Sequence, residues 1–288
     1  MEALLLEQSD IKIKKIWETI CKEAEVSSRK SNYMKKYFER HILSHSGFGD
    51  ALSHNIAAKI CNSDFELSHF VSILQKQISK FPYICDYAVD DLVAFYERDP
   101  ACHWFYQPFL FYKGFIALQV HRIGNAFYNN GDVDLSLYLQ MRVSEVFSID
   151  IHPGAMIGKG IMFDHAHNLV IGETAKVGDN VSILHAVTLG GTGKIRGDRH
   201  PKIGNNVLIG AGAKILGNIS VGECSRVAAG SLVLKSVPSF KTVAGVPAKE
   251  VGSSGCPEPS KMMDHCLLYT SDAADDMQCV DLGGRRII

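Results

Sequence analysis

This chain has no excess of charge, no long hydrophobic run and no paired cysteines, and each lack removes a class of function. Its 30 Lys and Arg stand against 31 Asp and Glu, for a formal net charge of −1. That balance excludes a nucleic-acid-binding polycation and a polyacidic tail. No apolar run approaches the roughly 20 residues of a membrane-spanning helix. The opening stretch, MEALLLEQSDIKIKK, sets acids beside its short leucine run and offers no small-residue cleavage site, so no secretory leader is expected. Eight cysteines are scattered without a CxxC pair. That spacing argues against a zinc site built on thiols and for reduced cysteines in a cytoplasmic protein. Neither nucleic acid nor a membrane is an expected partner, and no metal ligand set is assigned.

What is present divides into two halves. With 288 residues, 46% of them hydrophobic and 21% charged, the chain can bury two modest cores. Residues 1–140 read as helical: IKKIWETICKEAE and FGDALSHNIAAKICN place apolar residues at three- and four-residue spacing. Phe81-Pro82 and Asp99-Pro100 mark expected helix boundaries, because the residue before proline is pushed out of the helical region. From residue 141 the glycines multiply and an aliphatic residue recurs every six positions. The first positions are Ile151, Ile157 and Phe163, then after a two-residue slip Ile171, Val177, Ile183 and Leu189. After a polar interruption Ile203, Ile209, Ile215, Val221, Val227 and Val233 follow. Glycine takes the second place after Ile157, Ile171, Val177, Ile203, Ile209 and Val221. A three-sided prism explains this: the first position fills a narrow interior and a small residue suits the tight corner. The repeat resembles the hexapeptide of left-handed parallel β-helices, a departure from right-handed crossovers. The expected class is α+β, an N-terminal α-helical oligomerisation domain (1–140) followed by a left-handed parallel β-helix catalytic domain (141–250). Residues 251–265 form a C-terminal tail. Residues 266–288 resemble the translation of a sequencing adapter, and are expected to be non-native read-through with the natural C-terminus missing beyond about His265.

Breaks in a solenoid tend to serve a site. At the first, Asp150-Ile-His-Pro opens the prism and Asp164-His165-Ala-His167 follows about one coil later. Asp150 and His165 fall three residues short of an 18-residue coil, close enough to meet near a corner. A carboxylate beside an imidazole fixes its tautomer and supports its charging as it takes a proton. The second break, Gly190 to Lys202, is too polar for the interior and carries Lys194, Arg196, Arg199 and His200, groups able to meet a carboxylate or phosphate. Its GGTGK lacks the GxxxxGK[ST] spacing of a phosphate-binding loop.

Together Asp150-IHPGA, Gly160-IMFDHA, Ile171-GETA, Ser182-ILHAVTLGGTGK, Gly197-DRHPKIG, Ile209-GAGAKILGNI and Ala244-GVPAK resemble the serine O-acetyltransferase family. Ala51-LSHNIAAKI, Arg98-DPA and Lys113-GFIALQVHRIGN resemble its helical domain, so the likeness spans about residues 10–265. The resemblance implies acetyl transfer from acetyl-CoA, a co-substrate rather than a tightly bound cofactor, to L-serine. It implies His165 as general base with Asp150 orienting it. Asp99 and Asp164 match positions that hold the serine ammonium, and Arg199 with His200 those that hold its carboxylate. Gly191, Ala211, Arg226 and Ala229 match the acetyl-CoA groove; Arg226 stands where the family has a lysine, and His167-Asn168 replaces its Thr-Gly. Also implied are trimers with sites between adjacent prisms, hexamers joined by the helical domains, feedback inhibition by cysteine, and docking of a native C-terminal tail into O-acetylserine sulfhydrylase. Three rivals remain: a hexapeptide acyltransferase for another hydroxyl, a zinc carbonic anhydrase built on His165, His167 and His185, and an inactive scaffold.

Overall fold

A computed structural model describes residues 2–193 and 196–264. Eight helices come first: α1 (Glu2–Lys30), α2 (Lys35–Phe38), α3 (Phe48–Ile60), α4 (Leu67–Lys80), α5 (Tyr83–Arg98), α6 (Tyr106–Phe111), α7 (Lys113–Asn129) and α8 (Val133–Phe147). A π-helical turn, Glu39–Leu43, continues α2. Both proline signals act as expected. Phe81-Pro82 separates α4 from α5, and α5 stops at Asp99, which is extended (φ −96°, ψ 108°) before Pro100. Helix α8 runs on to Phe147, and the first strand opens at Ile149. Helix α7 forms the floor of this half, with Phe115, Ile116, Leu118, Val120 and Ile123 all buried.

The repeats then wind a parallel β-solenoid of about five turns and three sheets. The first sheet stacks β1 (Ile149–Ile151), β4 (Leu169–Ile171), β7 (Thr188–Gly190), β10 (Lys214–Leu216) and β13 (Leu232–Val233). The second stacks β2 (Met156–Ile157), β5 (Lys176–Val177), β8 (Lys202–Ile203) and β11 (Ser220–Val221). The third stacks β3 (Met162–Phe163), β6 (Ser182–Ile183), β9 (Leu208–Ile209), β12 (Arg226–Val227) and β14 (Lys241–Gly245), and ends on β15 (Ala248–Ser253), which pairs antiparallel.

Register proves the hexapeptide phase. Ile151 lies over Ile171, Leu189, Ile215 and Val233; Ile157 over Val177, Ile203 and Val221; Phe163 over Ile183, Ile209 and Val227. All but Ile157 are buried, and each contributes roughly 1.5–3 kcal/mol by leaving water. The coil from Ile151 to Ile171 is longer than the one from Ile171 to Leu189 by the slip at Asp164–Asn168. The polar loop lengthens the coil from Leu189 to Ile215.

Two contacts fix the helical half on the prism. A Cβ on Gly114, at the start of α7, would lie 2.2 Å from the Phe163 carbonyl, so only glycine admits this approach. Deeper, the fully buried Asp91 of α5 accepts from Arg122 Nη2 (2.8 Å), Gln119 Nε2 (2.9 Å) and the Ile161 N–H (2.8 Å). Arg122 also donates to the carbonyls of Ile157 (3.0 Å) and Gly158 (2.7 Å), tying α5 and α7 to the first coil at the corner after β2. After β15 the chain crosses the third sheet. Ser182 Oγ donates to the Ser260 carbonyl at 2.8 Å beside α9 (Pro259–Met262).

Candidate functional site

One edge of the prism joins the third sheet to the first. At each coil the second residue after the buried first position stands on this edge: His165, His185, Ala211 and Ala229. Their backbones interlock, Gly212 N–H donating to the His185 carbonyl (2.9 Å) and Gly230 N–H to that of Ala211 (2.8 Å). The rings of His165 and His185 are 5.9 Å apart. The two-residue slip creates the topmost corner, where His165 (φ 54°), Ala166 (φ 55°) and Asn168 (φ 55°) all take the left-handed conformation. Single left-handed residues also turn other corners, at Asn180, Ala186, Asn206 and Cys224, and this corner differs in holding three within four positions.

This corner opens into a cleft of about 830 Å³ between prism, helices and the C-terminal segment, lined among others by Asp99, Tyr112, Lys113, Asp164, His165 and Met262. His165 is exposed, its side chain at 77%, and Nε2 lies 3.7 Å from Asp164 Oδ1. Asp99 Oδ1 caps the next turn by accepting from the Ala101 N–H at 2.8 Å. Lys113 reaches both His167 Nδ1 and the Phe147 carbonyl. His167 thus has Nδ1 against the Lys113 ammonium, and among the described residues no group of three or more His, Cys, Asp or Glu is arranged to hold a metal ion. Asp150 Oδ1 accepts from Gln140 Nε2 at 2.6 Å, so the carboxylate recorded against His165 is Asp164, not Asp150.

A second cluster sits on the next edge, between the first and second sheets. There the described part of the polar loop folds back on Glu173-Thr174. Arg199 Nη2 donates to Glu173 Oε2 at 2.7 Å, and this bond holds the Glu173 carboxyl below the usual range. His200, 7% exposed, meets Thr174 Oγ1 at 2.9 Å; burial, then the Arg199 charge, lowers its pKa. His152 is in the same cluster, its pKa lowered by burial, and its Nδ1 accepts from the Gly154 N–H at 3.0 Å. Gly191 packs against Arg199. Lys194 lies outside the described residues, as do 265–288 with their adapter-like stretch and Ile288.

The residues singled out from the sequence thus fall into three groups. Asp99, Asp164 and His165 share the cleft, with Ala211 and Ala229 further along the same edge; Arg199, His200 and Gly191 occupy the neighbouring edge. Arg226 belongs to neither, for it is 4% exposed on β12 and donates to the Ser254 carbonyl (2.9 Å) and Asp264 (3.3 Å) beneath the C-terminal segment. Sequence reasoning missed Lys113, Glu173 and Thr174. Their one sign was polarity at hexapeptide corners or a helix start, while their partners lie far along the chain.

Residues 16–120 match the serine acetyltransferase N-terminal family, and residues 200–235 the bacterial transferase hexapeptide repeats. Serine acetyltransferase of Salmonella typhimurium is 45% identical over 249 residues, 86% of this chain and 91% of the relative. A serine acetyltransferase of Brucella abortus in complex with coenzyme A superposes with a TM-score of 0.83 at 47% identity, covering 87% of this chain and 99% of that one. A soybean serine acetyltransferase complexed with serine gives 0.81 at 47% identity, with 83% and 99% covered. A serine acetyltransferase complex with cysteine gives 0.86 at 43%, with 88% and 98% covered. Helical half, hexapeptide prism and a likeness over most of the chain agree, and this chain belongs to the serine acetyltransferases, a family of acyltransferases.

Proposed function

We propose that the chain transfers the acetyl group of acetyl-CoA to the hydroxyl of L-serine, releasing O-acetyl-L-serine and CoA, as the first step of cysteine synthesis from serine in the cytoplasm. The observation that carries this reading is the cleft in which an exposed imidazole, His165, stands beside Asp164 and Asp99. Two carboxylates suit an ammonium group, and an imidazole suits a hydroxyl proton. His165 takes that proton as the serine oxygen attacks the thioester carbonyl; the C–S bond breaks, and the same imidazole returns the proton to the CoA thiolate. Asp150, at the start of the same coil, orients the ring by the family pattern, with Asp164 the nearer carboxylate in the free protein. Backbone N–H groups near Gly190-Gly191 stabilise the developing oxyanion.

The assembly reading follows from the split between the edges. Asp99, Asp164 and His165 flank the first sheet on one side; Arg199 and His200 flank it on the other. A single prism keeps the ammonium and carboxylate groups apart, whereas packing first sheets around a threefold axis sets one edge against its neighbour's opposite edge. Val170 (37% exposed) on β4 and Leu234 (49%) just past β13 support burial of that face. A homotrimer, paired through the helical domains into a hexamer, is the assembly we propose, with Ala211, Ala229 and Gly191 along the acetyl-CoA groove. Cysteine, differing from serine by sulfur for oxygen, fits the same site as an inhibitor.

The test is His165→Ala. Turnover should fall by about 10²–10⁴, the usual worth of a general base, while CoA binding by calorimetry stays near wild type. An acetylated enzyme isolated before serine is added would overturn direct transfer.

A further inference from the structure

We propose that Thr174 is a positioning residue for the acceptor: it holds the His200 imidazole neutral, with its proton on Nε2, as a hydrogen-bond donor to the acceptor's carboxylate. This rests on the reading of His200 as a carboxylate-binding group.

The Thr174 N–H and hydroxyl are turned to His200 and Arg199, while its carbonyl accepts from Lys202 Nζ at 2.8 Å. The Thr174 backbone N–H points at His200 Nδ1 from 3.2 Å. A backbone N–H can only donate, so Nδ1 must accept and carries no proton. The hydroxyl lies 2.9 Å from the same nitrogen, and an accepting Nδ1 makes it the donor. Its two lone pairs receive the backbone N–H groups of Arg199 (3.0 Å) and His200 (3.2 Å). One hydroxyl thus uses its single proton and both lone pairs, fixing ring and backbone together. The Asp198 carboxylate also faces this hydroxyl, but the bond with full hydrogen-bond geometry is the one to the imidazole.

With Nδ1 committed as acceptor, the ring's one proton belongs on Nε2. Burial is the first cost of an imidazolium at His200, and the Arg199 and Lys202 charges outweigh the opposing Glu173 carboxylate. Gly172, two residues before Thr174, makes the space. A Cβ there would lie 2.0 Å from His200 Nε2, inside the ring's own volume. The hexapeptide Ile171-GETAK therefore serves the site at three places: Gly172 admits the ring, Glu173 holds Arg199, and Thr174 sets the tautomer.

The experiment measures steady-state kinetics of Thr174→Val, Thr174→Ser and His200→Ala with both substrates varied. Thr174→Val should raise KM for serine about tenfold, the loss expected when a hydrogen bond to a charged group is misaligned, with kcat and KM for acetyl-CoA within about twofold. Thr174→Ser, which keeps the oxygen, should return serine KM to near wild type. Thr174→Ala is measured alongside, so that a folding defect peculiar to valine does not decide the result. If His200→Ala raises serine KM and neither hydroxyl-deleting variant does, the positioning role is overturned while the carboxylate role stands. If His200→Ala leaves serine KM unchanged, the carboxylate reading itself has failed. A fall in kcat or a matching rise in acetyl-CoA KM in Thr174→Val, not restored by serine, would make Thr174 merely structural.

Discussion

Replacing Arg122 with methionine tests how the prism is joined to the helical half. The guanidinium, 4% exposed, bonds the fully buried Asp91 carboxylate through Nε (3.1 Å) and Nη2 (2.8 Å). It also donates to the Ile157 and Gly158 carbonyls. Arg122→Met keeps the aliphatic stem but strands a buried carboxylate with only Gln119 Nε2 and the Ile161 N–H, and leaves two carbonyls without their donor. Breaking a buried ion pair from one side costs about 3–5 kcal/mol. At about 2–4 °C per kcal/mol for a chain of this size, the thermal midpoint should fall by about 6–20 °C. Adding Asp91→Leu removes the stranded charge, so the double variant should be more stable than Arg122→Met alone and reveal the coupling. Melting is followed by far-ultraviolet circular dichroism at fixed protomer concentration. An Arg122→Met midpoint within about 2 °C of wild type, or a double variant no better than the single, would refute the reasoning.

Two other expectations concern assembly and acidity. Mixing His165→Ala with His200→Ala chains in equal amounts before reassembly should yield about a quarter of wild-type activity at subsaturating serine, because each composite site draws its two edges from neighbouring chains at random; a mixture no more active than its parents would place each site within one protomer. Burial, helped by the Arg122 charge, pushes the His121 imidazole down to about 3. Folded chains therefore keep it neutral while unfolded chains protonate it near ~6.5, so its contribution is complete above that pH and is lost as pH falls toward 3, by up to about 1.4 kcal/mol per unit. Urea midpoints from pH 7 to pH 4 should decline less steeply in His121→Gln, and an unchanged slope would contradict this assignment.

The prism was legible because its interior admits one shape at one interval. Ile151, Ile171, Leu189, Ile215 and Val233 are spaced unevenly along the chain yet lie in one stack, and the period survives both insertions because those bulge outward at corners. The corner that carries His165 was legible for the same reason, standing where the slip interrupts the count, while the role given to the ring rests on the family resemblance. The partners of polar side chains were not. Asp91 finds Arg122 31 residues away and Ile161 70 away, and Thr174 finds His200 across 26 residues. No periodicity encodes such meetings, since a corner position carries no packing constraint that names its neighbour. Arg226 shows the converse: its place on the repeat was readable, but its burial depends on Ser254 and Asp264, supplied by a segment with no repeat. Asp150 likewise kept its place beside the first corner while its oxygen went to Gln140 on α8, a helix the hexapeptide count does not see.

Thiol release from acetyl-CoA, compared for L-serine, L-homoserine, L-threonine and sugars as acceptors, tests the central claim most directly. The cleft lined by Asp99, Asp164 and His165 predicts turnover with L-serine well above all others, and lower by about 10²–10⁴ in His165→Ala. Comparable turnover with a sugar hydroxyl, or release from L-serine that persists undiminished without the imidazole, would contradict it.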